Sequence, residues 1–154
     1  MPSDPVLSTV ERAFLASARR AILATMAADR LPRLVPICFA VDEGRPVLYT
    51  PIDDKPKRSG DPTALARVRD LLADPRVSVL VDRWDEDWTR LAWLRCDGRA
   101  ELIDPTATEA ELHTRVAAAL RARYPQYASH RLESRPLIRI TIERTTSWGP
   151  LEAA

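Results

Sequence analysis

The chain has 154 residues, about one domain by length, with 45% hydrophobic and 29% charged residues, a globular composition that excludes disorder as a global description. Lys plus Arg total 23 against 22 for Asp plus Glu, a net charge of +1, which excludes a surface given over wholly to nucleic acid or membrane. No apolar run approaches the roughly 20 residues of a bilayer span, and MPSDPVLSTVERAF lacks the basic-then-apolar layout of a signal peptide.

Cys38 and Cys96 lie in apolar segments with no metal-ligand spacing, so a cytoplasmic protein with reduced thiols is expected. Thirteen prolines against four glycines punctuate short elements, with no repeat and no low-complexity linker, and one compact domain over residues 1–154 is expected.

Ser8-Thr9-Val10-Glu11 is a capping box that opens a helix, with Val10, Phe14 and Ala18 as its buried stripe and Arg19 and Arg20 at its negative end. Ala21–Met26, Leu34–Val41 and Val47–Ile52 are apolar runs joined by the turns at 27–30 and 42–44. They predict three strands of an antiparallel meander, with Pro36 and Pro51 at an edge, a bulge or a strand end. Asp53–Gly60 (DDKPKRSG) is a polar loop. Asp61-Pro62 reads as N-cap and first position of a second helix, whose inner face is Leu65, Val68, Leu71 and Leu72.

Val77–Val81 is a fourth strand, and a charged loop from Asp82 to Arg90 carries Trp84 and Trp88. Leu91–Cys96 and Arg99–Ile103 are either paired strands around Asp97-Gly98 or one long strand bulged at the glycine. Thr108-Glu109-Ala110-Glu111 reads as a second capping box before a helix with Leu112, Val116 and Leu120 inward; residues 124–135 read as irregular. Leu137–Glu143 then alternates, Ile138, Ile140 and Ile142 against Arg139, Thr141 and Glu143. Six or seven antiparallel strands with about three helices make a mainly β protein, a small β-barrel with helices plugging its ends. A Rossmann fold is excluded because no Gly-rich strand-to-helix turn exists.

Few residues offer catalysis of their own. There is no G-x-S-x-G, and His113, read as a solvated helix histidine, and His130 make neither a triad nor a His-rich metal site. Lys55, Lys57 and Arg58, three cations within four residues around Pro56, can clamp a phosphate or carboxylate tail, or form a merely solvated turn. Trp84 and Trp88 among acidic residues fit a subunit interface, a ring-binding pocket or ordinary packing. Trp93 inside a strand fits the core, and Trp148 fits an anchor for the tail or a pocket wall.

The ordered series LATMAADRLPRLVPICFAVDEGRPVLYT, DDKPKR, LLADPRVSVLVDRWDEDWTRLAWLRCDGRAEL and RITIERTTSWG resembles the pyridoxamine 5′-phosphate oxidase-like, FMN-binding split β-barrel family over residues 8–150. Within it the chain is most similar to the actinobacterial branch that binds the deazaflavin coenzyme F420 in place of FMN. The resemblance implies a cytoplasmic homodimer with two cofactors in clefts between the barrels. It implies an oxidoreductase that passes a hydride to an electron-poor small-molecule acceptor, with no nucleic-acid or membrane partner and no metal. FMN or a tetrapyrrole such as biliverdin is the alternative ligand, and a non-catalytic flavin-type binding module the alternative role.

On the family pattern Pro36, Ile37, Tyr49 and Thr50 contact the ring and ribityl chain, and Lys55, Lys57 and Arg58 stand where the phosphate and polyglutamyl tail bind. Trp88, Trp93 and Arg95 match the segment that reaches the ring across the subunit boundary. The cofactor carries the hydride chemistry, so no catalytic acid or base is assigned. Two departures stand out. Ser59–Ala64 lengthens the loop-to-helix junction, and the Arg and His set that takes the substrate phosphate in the FMN-dependent oxidases has no counterpart toward the C-terminus. Oxidation of pyridoxamine phosphate itself is therefore not expected.

Overall fold

The computed structural model describes residues 4–52, 65–106 and 108–152. Its elements are α1 (Thr9–Ser17), β1 (Ala21–Met26), β2 (Pro32–Ile37), β3 (Ala40–Val41), β4 (Val47–Pro51), α2 (Ala66–Ala73), β5 (Arg76–Arg83), β6 (Ala92–Ile103), α3 (Ala110–Arg123) and β7 (Leu137–Trp148). The strands form one antiparallel sheet in the order β2-β1-β5-β6-β7-β4-β3. This is the mainly β architecture with three α-helices expected from the sequence.

The three-strand meander is not found. β1 pairs with β2, but β4 pairs with β3 and β7, so two hairpins occupy opposite edges of the sheet. The run Leu34–Val41 breaks at Cys38 and Phe39, where the Tyr124 hydroxyl, in place of a neighbouring strand, accepts the Phe39 N–H at 3.1 Å. This break explains the barrel. β2 and β3 are the two edge strands, yet only those two residues separate them. The span from Ile37 to Ala40 is at most about 11 Å, so the sheet curls until its edges almost meet. The result is a barrel split along one seam.

The inward positions of the curled sheet share one apolar core: Leu23 from β1, Val77, Val79 and Val81 from β5, Leu94 and Cys96 from β6, Ile138, Ile140 and Ile142 from β7. The predicted isoleucine stripe is thus a barrel wall. Leu48 of β4 faces the same core, whereas Val47 and Tyr49 join a second one beneath α3 with Val116, Ala117, Leu120 and Tyr127. Burial on both faces is why VLYTP reads as an unbroken run.

β6 is one long strand with a register shift between Asp97 and Gly98, the second of the two readings. A Cβ at Gly98 would lie 2.0 Å from the Thr141 carbonyl oxygen, so only glycine fits the bulge. The capping box of α1 is present. The Glu11 N–H donates to Ser8 Oγ and the Ser8 N–H to Glu11 Oε2, both at 3.1 Å.

The inner face of α1 is shifted from the expected stripe, burying Phe14 and Leu15 while Val10 is exposed. α2 buries Val68 and Leu71 but exposes Leu72, and begins after Leu65; the proposed Asp61 cap and Pro62 lie outside the described residues. α3 has Glu109 at its N-cap with no side-chain cap, because Glu109 instead receives Arg139 Nη2 at 3.0 Å from β7. His113 is buried, not solvated, with Nε2 2.6 Å from the Arg135 carbonyl. That contact ties α3 to the segment that enters β7.

One polar pin crosses to α2. Asp70, buried, accepts from Thr25 Oγ1 at 2.8 Å and from Arg33 Nε at 2.7 Å, joining the helix to the β1–β2 hairpin.

Candidate functional site

Alternation along the strands sends every second side chain outward, and the register aligns these into rows across β2, β1, β5, β6 and β7. One row is Pro36, Ile22, Leu80, Arg95 and Thr146; the next is Leu34, Ala24, Ser78, Asp97 and Arg144. On the other side of the first row lie Asp82, Trp93 and Trp148. The left half of this surface is apolar, with Leu34 63% and Leu80 39% exposed. Between these rows an apolar slot of about 470 Å³ is lined by Ile22, Ala24, Leu34, Leu80 and Trp93, with Ser78, Asp82 and Arg95 as its polar margin.

The right half is charged. Asp97 accepts from Ser78 Oγ at 2.6 Å and from Arg144 Nη2 at 3.0 Å, and Arg95 Nε lies 3.5 Å from it. Partial burial pushes its pKa up, but the Ser78 hydroxyl and the two guanidinium groups outweigh that and hold the carboxyl below the ordinary range. A second groove of about 590 Å³ continues from Ser78 and Arg95 past Arg76, Arg99 and Arg144. Forked guanidinium donors there suit carboxylate or phosphate groups.

The structure distributes the predicted residues over several places. Pro36, Trp93 and Arg95 share the outer face just described. Ile37 turns inward and is buried, and Thr50, also buried, takes the Leu48 side of β4. Tyr49 faces α3 instead. Its hydroxyl donates to Asp42 Oδ2 and accepts from Arg45 Nη2, each at 3.0 Å, beside a groove of about 340 Å³ lined by Ala40, Asp42, Leu112 and Arg115. Burial, then the Asp42 carboxylate, pushes the Tyr49 pKa up, so it stays a phenol. Trp88 stands 68% exposed on a short turn after β5. Lys55, Lys57 and Arg58 lie outside the described residues.

The apolar floor, Ile22, Ala24, Leu34 and Leu80, was not singled out from the sequence. Its signal was present in β5, where Leu80 interrupts the polar set Ser78 and Asp82 opposite Val77, Val79 and Val81. Aliphatic side chains grouped on one outward face are the kind of patch that marks a binding surface. Among the described residues no group of three or more His, Cys, Asp or Glu side chains is placed to hold a metal, and no helix is long and apolar enough to cross a membrane.

Residues 8–149 match the family model described as pyridoxamine 5′-phosphate oxidase. No curated protein matches the chain significantly. Among solved structures the chain is similar to a conserved hypothetical protein of Mycobacterium tuberculosis, with 28% identity, a TM-score of 0.70, and coverage of 97% of this chain and 89% of that one. A FAD-binding protein of Mesorhizobium loti shares 23% identity at a TM-score of 0.64, covering 92% and 94% of the two chains. The heme storage protein HutZ of Vibrio cholerae shares the fold at 16% identity and a TM-score of 0.64, covering 90% of each.

Proposed function

The chain belongs to the pyridoxamine 5′-phosphate oxidase family of split β-barrels, and from that premise we propose that it is a coenzyme F420-dependent oxidoreductase acting as a homodimer. It transfers a hydride between the deazaflavin and an electron-poor small molecule. The observation that carries this reading is the apolar slot on the outer face, walled by Trp93 and Leu80 and edged by Arg95.

The slot's chemistry fits the ring of a flavin-type cofactor. Its volume lies in the range of small-molecule sites, and an indole with aliphatic neighbours suits a planar ring. Arg95 supplies donors at the polar margin, and the neighbouring arginine groove offers more. Lys55 and Lys57, the only lysines of the chain, with Arg58, suit the phosphate and an acidic tail. The preference for the deazaflavin over FMN rests on the resemblance of DDKPKR and RITIERTTSWG to that branch.

When bound, the reduced deazaflavin supplies the hydride. This chain's own residues bind and orient. Trp93 gives the ring a face to lie on, Leu34 and Leu80 exclude water, and Arg95 steadies negative charge at the margin.

A second copy supplies the missing wall. Exposed Leu31, Leu34, Leu80 and Met26 form the sort of surface that monomers seldom leave open. Pro32 and Pro36 remove N–H donors from the edge strand β2, so the second copy joins by packing on this face and not by extending the sheet. Titration of the purified protein with F420 and, separately, FMN, following ring fluorescence, tests the reading.

A further inference from the structure

The irregularity between β6 and β7 re-aims one arginine. Ile138, Ile140 and Ile142 face the core, and strict alternation would send Arg144 inward after them. The register shift leaves Glu143 as an extra residue between Ile142, opposite Gly98, and Arg144, opposite Asp97. Alternation resumes out of phase. Arg144 takes the outer face with Asp97, and Thr145 takes the position opposite Cys96 of the core. Bulges that turn a side chain in this way are common beside binding sites.

Arg144 thereby joins Arg76, Arg95 and Arg99 around the groove of about 590 Å³, which Asp97 and Glu143 also line. Arg76 is committed to Asp74, to which its Nε and Nη2 donate at 3.0 and 2.7 Å. Asp97 is shared. Arg144 donates to its Oδ2 from Nε at 3.3 Å and Nη2 at 3.0 Å, and Arg95 Nε lies 3.5 Å from its Oδ1. Arg99 has Glu143 alone, 3.6 Å away, with both side chains 59% exposed. Four guanidinium groups thus meet three carboxylates, Asp74 included, which leaves one positive charge in surplus. The Nη1 groups of Arg95 and Arg144 and the whole fork of Arg99 make no hydrogen bond among the described residues.

Open guanidinium forks with a net positive charge bind carboxylates. We propose that this groove holds a carboxylate of the electron acceptor, so that the substrate is an electron-poor ring or conjugated system bearing one acid group. Groove and slot share Ser78 and Arg95. An acceptor lying at the slot therefore meets the open donors of Arg95, Arg144 and Arg99 through a substituent. A single surplus charge matches a single carboxylate, and a neutral acceptor leaves it unused. The inference rests on the cofactor reading for the place of the acceptor; that reading gives the phosphate and acidic tail of the cofactor to Lys55, Lys57 and Arg58.

Two probes of one shape and different charge, 4-nitrobenzoate and 4-nitrobenzamide, test it by calorimetric titration of the full chain at pH 7.5 and low salt with excess F420 present. The affinity for F420 itself is read separately by fluorescence. The benzoate is expected to bind roughly tenfold tighter than the amide. Replacing Arg99→Gln and Arg144→Gln together, at exposed positions that do not line the slot, is expected to abolish that preference. The affinities for the amide and for F420 should change by less than about twofold. Equal affinity for the two probes, or a preference that survives the double variant, overturns the proposal. So does an F420 affinity that falls together with the benzoate's, which would give the groove to the cofactor's own acidic tail. No charge preference with intact F420 binding defeats this subsite alone; the expected preference with no F420 binding defeats the cofactor reading alone.

Discussion

Tyr124 and Phe39 meet through the Tyr124 hydroxyl, which accepts the Phe39 N–H at 3.1 Å and lies 3.2 Å from the Phe39 carbonyl, with the Arg19 carbonyl at 3.0 Å as the other acceptor for its one proton. The residue that caps the C-terminus of α3 thus does for the backbone what a neighbouring strand would, at the point where the chain leaves one edge of the sheet for the other. Tyr124→Phe strands a buried N–H and is expected to cost about 1–3 kcal/mol of stability. Urea denaturation measures it; an unchanged midpoint would show that Phe39 finds another acceptor.

Acid should weaken the fold through carboxylates held below their ordinary range. Arg76 holds Asp74 at about 2. At Asp42 burial pulls upward, but the Arg45 and Gly44 N–H groups and the Tyr49 hydroxyl outweigh it, and Asp97 is lowered in the same way by Ser78 and Arg144. A depressed carboxylate contributes stability that is fully present above the unfolded pKa near 3.9 and lost as pH falls through the folded value. Thermal unfolding should therefore be flat in these contributions above about pH 5 and decline from pH 4 toward 2. Asp97→Asn should flatten part of that decline, and an unaltered acid limb would remove Asp97 from the account.

Leu34 is exposed on the face assigned to the second copy. Leu34→Glu places a charge in that seam while leaving the barrel core untouched. Sedimentation should shift from dimer to monomer with the far-ultraviolet dichroism unchanged. A dimer that persists in this variant would move the interface elsewhere.

Lys55 and Lys57 are assigned to the phosphate and tail. Replacing both with alanine removes two charge-assisted contacts of about 1.5–3 kcal/mol each, so F420 should bind at least about tenfold more weakly. Added salt should weaken the wild type in the same direction. Equal affinity of variant and wild type in a fluorescence titration would take this loop out of the site.

Local order was well marked in the chain. Ser8 and Glu11 marked α1, the alternating isoleucines marked β7, and Gly98 marked the point where β6 either turns or bulges. These signals depend only on neighbours in sequence. The strand order was not legible, because the hydroxyl that interrupts the run Leu34–Val41 comes from Tyr124, 85 residues away. His113 was misread for the same reason, its partner being the Arg135 carbonyl beyond the end of α3.

At the site, the family resemblance pointed to Trp93 and Arg95, and the fold adds their neighbours. Ile22, Leu34 and Leu80 look like ordinary strand residues until the register puts them on one outward face. Tyr49 shows the reverse. Its strand matches the family pattern, yet alternation turns the ring toward α3, where Asp42 and Arg45 engage its hydroxyl.

The account stands on a flavin-type ring seated against the outer face of a paired barrel. Equilibrium titration of the purified protein with F420 and with FMN, run alongside sedimentation at micromolar concentration, addresses it most directly. The account predicts a dimer that quenches deazaflavin fluorescence saturably and binds F420 more tightly than FMN. A monomer that leaves the fluorescence of both ligands unaltered would contradict it.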